Sequence, residues 1–257
     1  SAQDYHMRWF LQHLPDEGVT LRNVSLDRIG FQIAGPSARE LLSRTTRADV
    51  SNEAFPFLHT RQMEVGLSPA TVCRVSYTGD LGYEIYVPAA NQRALYSTLA
   101  DAGQDLGLKP FGMRAMMSLR LEKSFGSWLR EYKPDYTPVE TGLDRFVRYQ
   151  KPDFIGRDAA IAARDAGASR RLVTMMVDAD NADVQGDEPI FHKGDVVGFV
   201  TSGGYAHASE KSVAIGFVPV EMIEEGAAFE IEILGDMRPA VINNTPLFDP
   251  DGARMRG

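Results

Sequence analysis

The chain has 257 residues, 44% of them apolar and 24% charged, with a formal net charge of −8. That is room for one large domain or two smaller ones with real cores, in an ordinary globular class. The acid excess disfavours a duplex nucleic-acid partner, which requires a basic face, and leaves an acidic ligand only a local Arg or Lys cluster.

No apolar run approaches the ~20 residues of a membrane-spanning helix. Cys73 is the single cysteine, so neither an intrachain disulfide nor a cysteine-type metal spacing can form. Its setting, Val72-Cys73-Arg74-Val75, reads as a small strand residue before it reads as a nucleophile. A reducing compartment fits, and the polar start shows no signal-peptide pattern. The expectation is a cytoplasmic protein.

Residues 4–14 predict an amphipathic helix, with Met7, Phe10, Leu11 and Leu14 on one face and Pro15 as its stop. Strands are predicted over 19–24 and 29–34, then a helix opened by Gly35-Pro36-Ser37 and running through Leu42. Residues 45–60 read as irregular with a helical turn after Ser51, followed by strands over 61–65 and 71–77. A strand over 83–87 follows, then helices over 91–102 and 110–123. The second helix carries a Met113, Met116, Met117, Leu121 stripe that reads as core, with Arg120 on the same side. Residues 124–157 are loop-rich, and a short helix covers 157–166. From Arg171 onward, short alternating runs at 172–177, 195–200, 212–218, 228–234 and 240–243 predict a small barrel.

The most informative stretch is Tyr77-Thr78-Gly79-Asp80-Leu81-Gly82-Tyr83-Glu84. Two readings stand side by side. One is an ordinary hairpin whose glycines supply turn conformations. The other is a recognition loop for a flat, nitrogen-rich heterocycle, with a phenol ring to stack on it and a carboxylate to accept its N–H groups. Elsewhere the bland readings lead. His6, His13, His59, His192 and His207 show no metal spacing. Asp187-Glu188 reads as a solvated turn before Pro189. The Arg164–Arg171 stretch reads as a solvated linker, with contact to a polyglutamate tail as its alternative use.

Taken in order, Tyr77–Glu84, Ser118–Lys123, Thr137-Pro138-Val139-Glu140 and Asp153–Arg157 resemble the aminomethyltransferase family of the glycine-cleavage T-protein type. Gly186–Ile190, Val197–Tyr205 and Leu247–Gly252 extend the resemblance over essentially the whole chain. Glu122-Lys123, Trp128 and Asp249-Pro250-Asp251-Gly252 are most similar to one branch, the folate-binding half of dimethylglycine and sarcosine dehydrogenases.

The resemblance implies an α+β fold, antiparallel sheets with helices followed by a small C-terminal β-barrel. The implied domains are 1–50, 51–167 and 168–257. It implies tetrahydrofolate as cofactor and a methylated amine as substrate, with 5,10-methylenetetrahydrofolate as product. By position Tyr77 corresponds to the family's folate-contacting tyrosine and Glu84 to the carboxylate that holds the pterin. Tyr83 and Trp128 join them as pocket candidates. Two departures stand out. The family's arginine ahead of the Ser118 run falls on Met116, so Arg114 is the nearest candidate, while Arg120 reads as structural, its guanidinium satisfied by carbonyls or a carboxylate. The family's catalytic aspartate would precede Tyr5, and Ser1-Ala2-Gln3-Asp4 matches a mid-domain junction. The expectation is therefore a fragment without its own catalytic group. FAD would belong only to a missing N-terminal domain or a flavoprotein partner, since no dinucleotide fingerprint occurs. Three other readings remain open: the glycine-cleavage T-protein itself, a folate-dependent S- or O-demethylase, and a non-catalytic folate-binding relative. The last carries a Lys-Gly-Cys motif where this chain has Lys123-Ser124-Phe125-Gly126.

Overall fold

Alternating burial builds the first sheet. In the computed structural model, which describes residues 2–257, Ser1 of the expected junction lies outside the described residues. Helix α1 (Ala2–Gln12) is followed by β1 (Arg28–Ala34), α2 (Ala38–Thr45), β2 (Thr60–Val65), β3 (Ser68–Cys73) and β4 (Gly82–Pro88). These strands form a sheet in the order β1-β4-β3-β2, with β2, β3 and β4 antiparallel neighbours. Ala70, Val72, Ile85 and Val87 point to the buried face, whereas Thr71, Cys73, Glu84 and Tyr86 alternate to the other. Leu41 and Leu42 of α2 are buried, as are Leu95 and Leu99 of α3 (Gln92–Ala102). The glycine turn between β2 and β3 abuts both helices. Gly66 donates to the Thr45 carbonyl at 2.6 Å, and a Cβ there would stand 2.8 Å from the Thr98 hydroxyl.

The segment 19–24 is not a strand. Val19 and Val24 are exposed, so the run lacks both a ladder partner and a buried face. α1 likewise leaves Tyr5, Phe10 and Leu11 exposed.

The remaining chain supplies α4 (Met113–Glu122), α5 (Pro138–Thr141), α6 (Arg157–Ala166), strands β5 (Arg170–Val177), β6 (Pro189–His192), β7 (Asp195–Ala206), β8 (Lys211–Pro219), β9 (Ala228–Ile233) and β10 (Asp236–Ile242), and α7 (Ala253–Arg256). The six strands close into a barrel in the order β10-β5-β8-β7-β6-β9. Its interior holds Val173, Met175, Ile190, Val200, Ala214, Val218, Phe229 and Ile231. Closure removes every edge. Where β7 crosses β8 the approach excludes side chains: a Cβ on Gly198 would lie 1.9 Å from the Phe217 carbonyl oxygen.

α4 docks on the barrel by its last turn, not by the methionine stripe. Met113 is exposed, whereas Arg120, Leu121 and Glu122 are buried. Leu121 packs with Ala206, Val213 and Ile215. The Glu122 carboxylate accepts from the Ala208 N–H at 3.0 Å and the Ser209 hydroxyl at 2.6 Å. The Thr137–Glu140 motif is a capping box that opens α5, with Glu140 also accepting from Arg170 at 2.7 Å.

Two compact units emerge. One gathers the chain up to Ile33, Arg39–Arg74 and Tyr83–Leu108; the other gathers Ala34–Ala38, Val75–Gly82 and Lys109–Gly257. Residues 109–167 thus group with the barrel. Among the described residues no helix is long and apolar enough to cross a membrane.

Candidate functional site

The sequence predicts β3 running to Tyr77, but it stops at Cys73. Arg74 ends it by turning inward: its buried guanidinium donates to the Phe55 carbonyl at 2.6 Å. Residues 75–81 then leave the sheet until β4 begins at Gly82, and Val75–Gly82 group with the second unit, so Tyr77 and Glu84 fall in different compact units and the tight hairpin is absent.

In the sheet unit, Glu84 lies on the outward face of β4. The Tyr86 hydroxyl donates to its Oε2 at 2.6 Å, and Oε1 has no partner among the described residues. Tyr86 owes its place to Gly30, where a Cβ would stand 2.9 Å from the Tyr86 ring. Gln32, two residues along β1 and therefore on the same face, has a buried Nε2 without a hydrogen bond. Cys73 sits opposite Glu84 and accepts from the Thr60 hydroxyl at 3.3 Å. This face thus presents an open carboxylate oxygen, and β1 holds a buried amide donor without a partner.

The hydrogen bond to Glu84, reinforced by partial burial, pushes the Tyr86 phenol up to about 12. Its folded value lies above the unfolded one, so its stabilising contribution is complete below pH ~10 and is lost as pH rises from there to about 12. An ultraviolet titration should show one phenol ionising near the top of that window. Tyr86→Phe should remove that step, and Glu84→Gln should move it back towards ordinary tyrosine; a wild-type titration with no such late step would refute the assignment.

In the barrel unit, Tyr77 stacks on Phe125 with ring centroids 6.5 Å apart and planes at 13°. Its hydroxyl donates to the Gly126 carbonyl at 3.1 Å, and burial raises its pKa above that of a free phenol. Gly79 in the turn has φ +91°, and a Cβ there would stand 2.4 Å from Lys123 Cγ. Lys123 is itself buried, donates to the Asp249 carbonyl and has its pKa lowered by burial. The Asp249 carboxylate accepts from the Ala253 and Arg254 N–H groups at 3.0 Å, and Arg254 reaches Asp80 at 3.6 Å. The C-terminal Asp249–Gly252 segment therefore closes back on the Tyr77–Gly82 turn. Trp128 lies on the adjacent loop, 65% exposed.

Residues 1–151 match the model of the GCVT N-terminal domain, and residues 170–249 match that of the glycine cleavage T-protein C-terminal barrel domain. The chain belongs to the glycine-cleavage T-protein family. Human mitochondrial dimethylglycine dehydrogenase is 40% identical over 261 residues, covering 100% of this chain and 30% of that protein. The aminomethyltransferase of Moorella thermoacetica is 31% identical over 245 residues, covering 95% of this chain and 66% of that protein. Among solved structures, the glycine cleavage system aminomethyltransferase T of Bartonella henselae is similar with a TM-score of 0.77 at 26% identity, covering 87% of this chain and 60% of that one. The chain thus spans 30% of the length of the human dehydrogenase it matches.

Within this family fold, the expected site residues separate by accessibility. Tyr83 has no exposed surface and packs on Phe55 at 5.8 Å between ring centroids. That places it in the core behind Glu84, not on a ligand-facing surface. Arg114 is exposed in the first turn of α4 and makes no hydrogen bond or ion pair among the described residues. Arg120 is structural as expected, donating to the Phe125 carbonyl at 2.9 Å with Glu131 at 3.6 Å. Sequence reasoning missed Tyr86 and Gln32. Their signal was available in the period of two, which puts Tyr86 with Glu84, and in Gly30, the small residue beneath the phenol. Among the described residues no group of three or more His, Cys, Asp and Glu could hold a metal.

Proposed function

We propose that this chain is the tetrahydrofolate-binding module of an enzyme that moves a one-carbon unit from a methylated amine of the dimethylglycine or sarcosine type, yielding 5,10-methylenetetrahydrofolate. The observation that carries the reading is the outward face of β4. Glu84 offers one oriented but uncommitted carboxylate oxygen, and Gln32 offers a buried donor without a partner. A pterin edge supplies the N–H donors that the uncommitted Glu84 oxygen lacks. Tetrahydrofolate supplies the nucleophilic nitrogen that accepts the carbon unit. Glu84 orients the ring through charge-assisted hydrogen bonds, with Tyr86 fixing its carboxylate. Taken by itself, the barrel unit offers candidate aromatic surface in Tyr77 and Trp128 and an exposed cation in Arg114. No catalytic acid or base, and no flavin, is assigned to the described residues.

The dehydrogenase branch is preferred to the T-protein proper because identity is 40% over 100% of the chain for the human dehydrogenase and 31% over 95% of it for the Moorella aminomethyltransferase. A lipoylated carrier protein should then fail to bind. In this reading the amine is oxidised by a flavoprotein domain or subunit outside this chain. The named relative is mitochondrial, and a single thiol suits any reducing compartment, the mitochondrial matrix as well as the cytoplasm. Calorimetric titration of the 257-residue chain with 5-formyltetrahydrofolate, a redox-stable folate, tests the proposal. Saturable one-to-one binding is expected; no heat up to ~1 mM ligand with folded protein would remove folate from the assignment.

A further inference from the structure

The loop that carries Trp128 is held at its root by a buried carboxylate. Glu131 has no exposed surface. Its Oε2 accepts from the Ser127 N–H at 2.5 Å, and its Oε1 accepts from the Ser202 hydroxyl of β7 at 2.5 Å. Arg120, 2% exposed, stands 3.6 Å from Oε2. The same guanidinium donates to the Phe125 carbonyl, and the Phe125 N–H returns to the Arg120 carbonyl at 3.0 Å. Gly126 donates to the Tyr132 hydroxyl at 3.0 Å and accepts from Tyr77. No side chain fits there, because a Cβ would lie 2.5 Å from Tyr132 Cζ and 2.9 Å from Glu131 Cβ.

Phe125, Gly126 and Ser127 are therefore each pinned through the backbone, yet Trp128 and Leu129 directly after them are 65% and 72% exposed. Burying a carboxylate is costly unless its oxygens are satisfied. Here they are satisfied by the root of an exposed aromatic tip and by a barrel strand. Trp128 at the tip and Tyr77, bonded to the same Gly126, share this one anchor.

We infer that Glu131 is a positioning residue: with Arg120 and Ser202 it fixes the root of the 125–129 loop, and so sets the presentation of Trp128 and Tyr77 to a flat aromatic ligand. The ligand half of this inference rests on the folate reading above; the loop half does not. Glu131 touches no ligand itself. It acts by pre-organisation, so its loss should raise loop mobility in the free protein and weaken binding together.

Trp9→Phe leaves Trp128 as the only tryptophan of the two. In that background Glu131→Gln and the milder Ser202→Ala are compared with the parent. Trp128 fluorescence anisotropy and acrylamide quenching are read without folate, and affinity for 5-formyltetrahydrofolate is read by titration. Both variants should lower the native-state anisotropy and increase quenching. Binding should weaken about 10-fold for Glu131→Gln and less for Ser202→Ala, roughly one charge-assisted hydrogen bond's worth. General destabilisation would shift the melting temperature without moving native-state anisotropy. Unchanged anisotropy and quenching in a folded variant overturn the inference. If Glu131→Gln does not fold, Ser202→Ala decides by the same readout. If the parent binds no folate, the functional reading fails while the fluorescence still judges the loop. If the loop loosens but affinity holds in a parent that binds, the positioning role is overturned.

Discussion

Glu84→Gln is expected to weaken folate binding about 100-fold while leaving the melting temperature within a few degrees of wild type. The side chain contributes nothing to the core: Ile85 and Val87 carry the buried face of β4. Its Oε2 is already committed to Tyr86, so Oε1 is the atom left for a ligand. Hydrogen bonds to an ionised carboxylate contribute about 1.5–3 kcal/mol each, and 1.4 kcal/mol is a factor of ten. Glutamine removes the charge and leaves a single acceptor oxygen where Tyr86 and the ligand each need one, so the substitution loses both attraction and an acceptor. Loss of about two decades of affinity by calorimetry, with an intact melt, is the expected pair of results. Unchanged affinity for 5-formyltetrahydrofolate would take Glu84 out of the site. Equal losses of affinity and stability would mean that Glu84 supports the sheet instead.

Elements held by local pattern were legible in the sequence. The barrel strands alternate, and each run predicted from Leu172 onward lies within or closely overlaps a strand; what the pattern did not give was the short β6, whose four residues are too few to show a period. Elements decided by distant partners were not legible. The Tyr77–Gly82 turn reads as a hairpin because glycines usually mark one, yet Gly79 is required by the stem of Lys123, which Asp249 fixes from the far end of the chain. The sequence offers Tyr83 and Glu84 alike as ligand residues, although the pleat sends adjacent side chains to opposite faces and only Glu84 looks outward. Glu131 carried no signal at all. Flanked by Arg130 and Tyr132 in a loop-rich stretch it resembles any surface acid, and its burial depends on Ser202, seventy-one residues later. The family order of motifs identified the module, while the polar contacts that orient its side chains arise from tertiary packing.

Arg120→Met is expected to cost about 3–5 kcal/mol of stability, a large share of the ~5–15 kcal/mol available to a domain. Arg120 and Glu131 are 2% and 0% exposed, with nitrogen and oxygen 3.6 Å apart, so the attraction operates where water screens little. Removing the guanidinium leaves the carboxylate buried with only the Ser127 N–H and the Ser202 hydroxyl for support, and also frees the Phe125 carbonyl. Methionine fills much of the stem's volume, so the loss reports charge and hydrogen bonding more than a cavity. Urea unfolding at constant m-value is the measurement. Arg120→Met combined with Glu131→Gln should be less destabilised than the two single losses summed, with a coupling of about 1–3 kcal/mol, because the second change removes the stranded charge. Additive losses, or an Arg120→Met cost below about 1 kcal/mol, would show that Glu131 does not depend on Arg120. The pair would then be incidental to the loop it borders.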